Sequence, residues 1–110
     1  MNTLNIWKEI TNLKGQTLKT LDRRMEFEVQ VVSESSIIVL PHSTGKPRPI
    51  MRIGFESAWQ RLVSKGRITP IEIENEFSSN NSAYVAALLS SLPGVVFSIR
   101  PIELSLSNLQ

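Results

Sequence analysis

The chain has 110 residues, of which 41% are hydrophobic, and this is the size and composition of a single globular domain spanning 1–110. It contains no cysteine, which excludes a disulfide framework, a thiolate nucleophile and a zinc-thiolate site. Its net charge of +2 is too small to indicate a polyanionic partner without some local clustering of the basic residues.

The first part of the chain predicts one helix and then a hairpin. The helix has an apolar stripe, a capping residue at Thr3 or Asn5, and an end at Gly15. Residues 17–21 and 25–32 predict two strands joined by the turn Asp22-Arg23-Arg24. The second strand alternates, with Phe27, Val29 and Val31 on one face and polar residues on the other. Such alternation is typical of an antiparallel sheet that is covered on one face only.

Two further strands are predicted after a polar turn. Residues 37–40 are apolar on both faces, which predicts a central strand. Residues 48–53 predict a strand at the edge of the sheet, because Pro47 and Pro49 cannot donate hydrogen bonds to a neighbouring strand.

The second half is predicted to be mainly helical. Apolar residues at helical spacing predict a central helix over 55–66, and Thr69-Pro70-Ile71-Glu72 has the pattern of a capping box that starts a short helix ending near Phe77. The alternation in 71–74 also permits a strand. A third helix is predicted over 83–92, capped by Asn81 or Ser82. Strand-like residues at 95–99 and 102–106 follow, and we expect the last strand to return to the sheet.

These elements predict an α+β fold in which a mostly antiparallel sheet of about four strands has three to four helices packed on one face. The expected centre of the core is formed by six residues from the sheet and the two longer helices: Phe27, Val29, Trp59, Leu62, Tyr84 and Leu88.

Residues that carry chemistry are scarce. His42 is the only histidine and lies in a predicted turn, which is usually exposed, and Ser43-Thr44-Gly45-Lys46 lacks the upstream glycine of a phosphate-binding loop. The glutamates at 72, 74 and 76 are best interpreted as a solvated face. We therefore predict no catalytic residue, no metal site and no cofactor. No apolar run is long enough to span a membrane and the N-terminus does not resemble a signal peptide, so we expect a cytoplasmic protein without membrane contact.

Several short stretches resemble a known kind of module. They are Leu18-Lys19-Thr20-Leu21, Phe27-Glu28-Val29, the turn from His42 to Arg48, Ala58-Trp59 before Gly66, and Ala83 to Leu89 ending in Leu92-Pro93-Gly94. Together they are similar to a small, largely uncharacterised prokaryotic module, which occurs as stand-alone proteins and at the termini of restriction-type or mobile-element proteins. The resemblance implies a role near nucleic acid or near proteins that act on it.

The basic residues are unevenly distributed. Residues 1–67 contain 11 lysines and arginines against 6 acidic residues, whereas the rest of the chain has one arginine against four glutamates. In the predicted edge strand, Lys46, Arg48 and Arg52 fall on one face, and no acidic residue occurs between Glu34 and Glu56. Charges on an edge strand also protect the edge against aggregation, so this stripe has two interpretations.

Two hypotheses of function remain open from the sequence. The first is a non-enzymatic module that contacts a DNA or RNA backbone through Lys46, Arg48 and Arg52, extended by Arg23 and Arg24 if the two turns share one end of the sheet. The second is a protein-interaction module or accessory subunit, which includes a homodimer, with no nucleic-acid contact. It would use the same predicted edge strand over 48–53 for strand addition, or an incompletely buried helix stripe.

Overall fold

A computed structural model describes residues 5–107 of the chain. The elements follow in the order α1 (Ile6–Thr11), β1 (Thr17–Lys19), β2 (Glu26–Val32), β3 (Ser36–Pro41), β4 (Arg48–Met51), α2 (Arg52–Lys65), β5 (Arg67–Ile68), α3 (Pro70–Glu72), a π-helical turn (Ile73–Phe77), α4 (Ser82–Ser90), β6 (Val95–Ile99) and β7 (Ile102–Leu106). The predicted α+β fold class is confirmed.

Strands β1 to β4 form an antiparallel sheet in sequence order, with β3 in the interior and β4 at one edge. Both placements were predicted, the interior position from the apolar run and the edge position from the prolines. The core face of this sheet carries the fully buried side chains of Phe27, Val29, Ile37, Val39 and Ile50. The helices cover that face, while the opposite face is partly exposed.

A second sheet has three strands in the order β5-β7-β6. The prediction that residues 102–106 return to the first sheet is therefore wrong. Only Arg100 and Pro101 separate β6 from β7, so these strands pair with each other as an antiparallel hairpin. The other edge of β7 pairs with β5, which directly follows α2.

The alternation of β2 is interrupted by a bulge between Val29 and Val31. The extra residue in β2 moves every side chain after the bulge to the opposite face, because side chains alternate with a period of two. Val31 is consequently exposed, contrary to the prediction that it shares the core face with Phe27 and Val29, and Val32 packs against the core instead.

The edge strand is shorter than predicted. It ends at Met51, and α2 begins at Arg52, so the expected strand conformation of Arg52 and Ile53 is wrong. The helix thus starts three residues before the predicted position 55, and Phe55, the first residue of its apolar stripe, is fully buried. The predicted end at Gly66 is confirmed, since this glycine takes the left-handed conformation with φ 82°.

The helix starts follow most of the predicted signals, but α1 ends at Thr11, before the predicted end at Gly15. The side chain of Asn5 accepts a hydrogen bond from the backbone of Lys8 and caps α1, whereas the alternative cap Thr3 lies outside the described residues. Thr69 and Glu72 form the predicted capping box of α3. Asn81 occupies the N-cap position of α4 without bonding to its backbone.

The core is one continuous cluster that joins both sheets and the helices. The most enclosed helix is α4, in which every residue from Val85 to Leu89 is buried, because alanines let its neighbours approach on several sides. Of the predicted core residues, Trp59 and Tyr84 are only half-buried. Within residues 5–107, no helix has the length and apolar character that crossing a membrane requires.

Candidate functional site

The connections β1–β2 and β3–β4 lie at the same end of the first sheet. Phe27 is paired with Pro41, and the backbone N–H of His42 donates to the carbonyl of Glu26 at 3.0 Å. The first connection carries Arg23 and Arg24 and the second carries Lys46, and all three side chains are exposed. The structure thus brings Arg23, Arg24 and Lys46 to one end, here called the basic end.

Arg48 is half-buried and points from β4 toward the beginning of α4. Its Nε donates to Oδ1 of Asn81 at 3.1 Å, and its Nη2 donates to the carbonyl of Asn80 at 2.6 Å. The guanidinium carbon lies 5.6 Å from the ring centre of Tyr84. This arginine therefore joins the first sheet to α4, which explains why Asn81 does not cap that helix.

Arg52 lies at the opposite end of the sheet from the basic end. Its Nη1 donates to the carbonyl of Glu34 at 3.0 Å, and its Nε donates to the carboxylate of Glu56 at 3.0 Å. The guanidinium carbon is 4.6 Å from the ring centre of Trp7. Arg52 thus connects the β2–β3 turn to α1 and α2, and it does not share a surface with Lys46.

The basic end also carries negative charge. Asp22 and Glu26 are exposed there, and Nδ1 of His42 lies 3.4 Å from Oε1 of Glu26, with each side chain about half exposed. Three cations accompanied by two carboxylates give only a small local excess of positive charge. The local positive charge is therefore smaller than the sequence predicted from its run of basic residues.

The alternating glutamates of the π-helical region have separate partners. Glu72 and Glu76 bind Arg61 at 3.0 and 2.6 Å, while Glu74 accepts hydrogen bonds from the backbone of Asn80 and the hydroxyl of Ser79. The hydrogen bond to Arg61 lowers the pKa of Glu76, and the same bond raises the pKa of Arg61. The Asn80 N–H lowers the pKa of Glu74. Among residues 5–107, no His, Cys, Asp and Glu side chains converge as a metal site would require.

Strand β6 forms an edge of the second sheet and is strongly apolar. The exposed fractions of Val96, Phe97 and Ile99 are 49%, 41% and 40%. No residue from Val95 to Ile99 is charged or is a proline. We call this strand with its three exposed apolar side chains the apolar edge.

Both edges of the first sheet are protected in ways that the apolar edge is not. Strand β4 contains Pro49 and follows Pro47, while β1 is only three residues long and ends with Lys19. Prolines, lysines and short length are the usual means by which proteins prevent the pairing of an open edge. The sequence predicts a strand over 95–99, but it does not show that this strand lies at an open edge of a sheet.

The pairing with β7 explains the exposure of the apolar edge. Phe97 lies opposite Leu104 and Ile99 lies opposite Ile102, so these side chains share one face of the sheet. Leu104 is fully buried on that face, but Phe97 and Ile99 lie one strand further out, where the cover is incomplete. Val96 lies opposite Ser105 on the other face.

A groove of about 370 Å³ lies between the basic end, α4 and the start of β7. Its lining includes Arg23 and Met25 from the first connection, Tyr84 from α4, and Ile102, which is the cross-strand partner of Ile99. The groove is large enough for one or two side chains of a bound segment.

The chain matches no protein-family model, and no match was found among curated proteins or among solved structures.

Proposed function

We propose that the protein is a non-enzymatic interaction module that binds another polypeptide by adding a strand to the apolar edge. The proposal depends on one observation, the exposure of Val96, Phe97 and Ile99 on an uncharged edge strand. An added strand would pair with backbone groups of β6 and cover the three side chains at once. This is how peptides are recognised at open sheet edges, where the backbone supplies affinity and alternate side chains supply specificity.

The geometry of the arginines favours a protein partner over a polyanion. Arg48 and Arg52, two of the five residues predicted to contact phosphate, make hydrogen bonds within the chain and stack over Tyr84 and Trp7. Phosphate contacts from these groups would have to replace those internal bonds. Covering the apolar edge requires no such exchange.

Val96→Lys and Phe97→Lys should each abolish the recovery of a protein partner when the tagged chain is purified from its native host after chemical cross-linking. A lysine on the edge adds a charge that the partner strand would have to desolvate. The measurement is mass spectrometry of the cross-linked proteins, with nucleic acid assayed in the same samples.

The matched control is Val31→Lys, because Val31 is a strand valine with an exposed fraction of 42% and lies in the other sheet. It should retain the partner. Equal recovery from the β6 variants and from the parent chain would contradict the proposal, as would hydrogen exchange that shows no protection of Val95–Ile99 in the recovered complex.

The second candidate function is contact with a DNA or RNA backbone, and one observation favours it. The basic end brings Arg23, Arg24 and Lys46 together, as this hypothesis requires, while Arg48 in the adjoining strand holds β4 against α4. Contacts of this kind are independent of sequence and sensitive to salt. With three cations, an affinity of roughly 10⁻⁴ to 10⁻⁶ M, typical of non-specific complexes, is the most we expect.

For that candidate, replacing Arg23, Arg24 or Lys46 by Gln should flatten the slope of log K against log salt by roughly 0.7 to 0.9 per residue. Binding of duplex and single-stranded DNA and RNA can be followed by fluorescence anisotropy. The control is a variant with Lys8, Lys14 and Lys65 replaced by Gln, which removes three exposed lysines elsewhere. An equal loss in this control would indicate a net-charge effect, and absence of salt-dependent binding by the parent chain would eliminate the candidate.

A further inference from the structure

We propose that the strand added to the apolar edge is β6 of a second copy, so that the protein forms a two-fold symmetric dimer. This inference rests on the proposed function and names its partner. The three-stranded sheets of the two copies would join into one continuous sheet. An isologous contact of this kind requires a self-complementary strand, and β6 meets that requirement.

The complementarity follows from the order of residues in β6. Antiparallel pairing centred on Phe97 places Val95 opposite Ile99 of the second copy and Phe97 opposite Phe97. All three of these side chains lie on the face that also carries Leu104 in the neighbouring strand. On the other face, Val96 meets the small Ser98. Each copy would therefore cover the exposed apolar side chains of β6 in the other copy.

The charges permit this pairing. Strand β6 has no ionisable residue, so no like charges are opposed along its length. Arg100 follows the strand in each copy, and the two arginines fall at opposite ends of the paired region, about 20 Å apart at the usual rise per residue. That separation exceeds the Debye length of about 8 Å at physiological salt. The nearby Glu103 already has a partner in Arg67 within its own chain.

The size of the contact sets the expected strength. Pairing of two five-residue strands, with three exposed apolar side chains from each copy, covers less surface than a standard permanent interface. We therefore expect a weak dimer, with a dissociation constant in the micromolar range or above. Its formation should be visible as an increase in mass between low micromolar and near-millimolar protein.

The test measures self-association of the full chain by sedimentation equilibrium. It compares the parent with two variants that place opposite charges at Phe97, the centre of the pairing. Phe97→Lys places two ammonium groups opposite each other and should weaken self-association by at least roughly tenfold. Phe97→Glu should do the same. An equimolar mixture of the two variants should restore association as a heterodimer, because each lysine then faces a glutamate.

Cysteine cross-linking provides a second readout that does not depend on charge. The natural chain has no cysteine, so a single introduced thiol reports on one position only. Phe97→Cys should form a disulfide dimer on mild oxidation, because the two positions face each other. Ile99→Cys should not, because its copies would lie about 13 Å apart, beyond disulfide reach. Val31→Lys should associate like the parent chain, and circular dichroism should show that every variant is folded.

The outcomes separate this inference from the proposed function. A parent chain that stays monomeric at all concentrations overturns the dimer, and strand addition still stands if the β6 variants lose a different protein partner. A dimer that Phe97→Lys leaves intact, or that forms with equal cross-linking at 97 and 99, places the contact elsewhere and also overturns the inference. Monomers together with unchanged partner recovery contradict both proposals.

Discussion

Phe27→Ala is expected to lower the free energy of unfolding by about 3 to 5 kcal/mol, the range for removing a buried aromatic side chain. Phe27 is fully buried on the core face of β2. Its ring lies 5.1 Å from the ring of Tyr84 in an edge-to-face arrangement, so it joins the first sheet to α4. The aromatic pair contributes about 0.5 to 1.5 kcal/mol beyond the buried area, and that contribution is part of the expected loss.

The measurement is equilibrium unfolding in urea, followed by circular dichroism. Val31→Ala is the control in the same strand, because Val31 is exposed beyond the bulge and its truncation should change the stability by less than about 0.5 kcal/mol. A loss of similar size in both variants would mean that Phe27 and Val31 lie on the same face after all. A loss below about 1 kcal/mol at Phe27 alone would show that the site is not part of a packed core.

The sequence was informative wherever a local signal determined the structure. The capping box at Thr69 and Glu72, the left-handed Gly66 and the edge position of β4 each depend on residues within a few positions. Such signals act through the backbone of their own segment. The predicted cap at Asn81 is an exception, because its side chain accepts a hydrogen bond from the distant Arg48 instead. The fold class follows from the same local information.

The sequence was less informative where contacts with residues distant in the chain determine the structure. The bulge after Val29 exchanges the faces of β2, and nothing in the alternation of apolar residues marks it. The second sheet depends on β7 pairing with the two-residue strand β5, which is too short for a periodic signal. For the same reason, the sequence could not indicate which apolar strand would remain exposed.

The candidate site illustrates a related difficulty with charged residues. A period of two places Lys46, Arg48 and Arg52 on one stripe only while the chain stays extended, and the helix begins at Arg52. The sequence also cannot show that Arg48 bonds to Asn80 and Asn81, which are more than 30 positions away. An arginine whose donors are bonded within the chain stabilises the fold. Its presence in a basic run therefore does not indicate a ligand.

Gly54→Ala should destabilise the protein by about 1 to 3 kcal/mol, the usual cost of forcing extra volume into a packed contact. Gly54 lies in the first turn of α2, where alanine would ordinarily stabilise a helix by up to about 1 kcal/mol. Here a Cβ atom would lie only 2.5 Å from the carbonyl oxygen of Phe77. Because that neighbour is backbone, the π-helical turn would have to move away from α2.

The displacement should have a local consequence as well. The ring of Phe77 lies under the guanidinium group of Arg61, 5.0 Å from its central carbon, and Arg61 also binds Glu76 in the same turn. Movement of the turn should therefore weaken this ion pair and increase hydrogen exchange over Ile73–Phe77. Ser57→Ala, one turn further along α2, is the control and should leave both stability and exchange nearly unchanged. If Gly54→Ala instead stabilised the chain, the gain in helix propensity would outweigh the contact, and the expected clash with the π-helical turn would be contradicted.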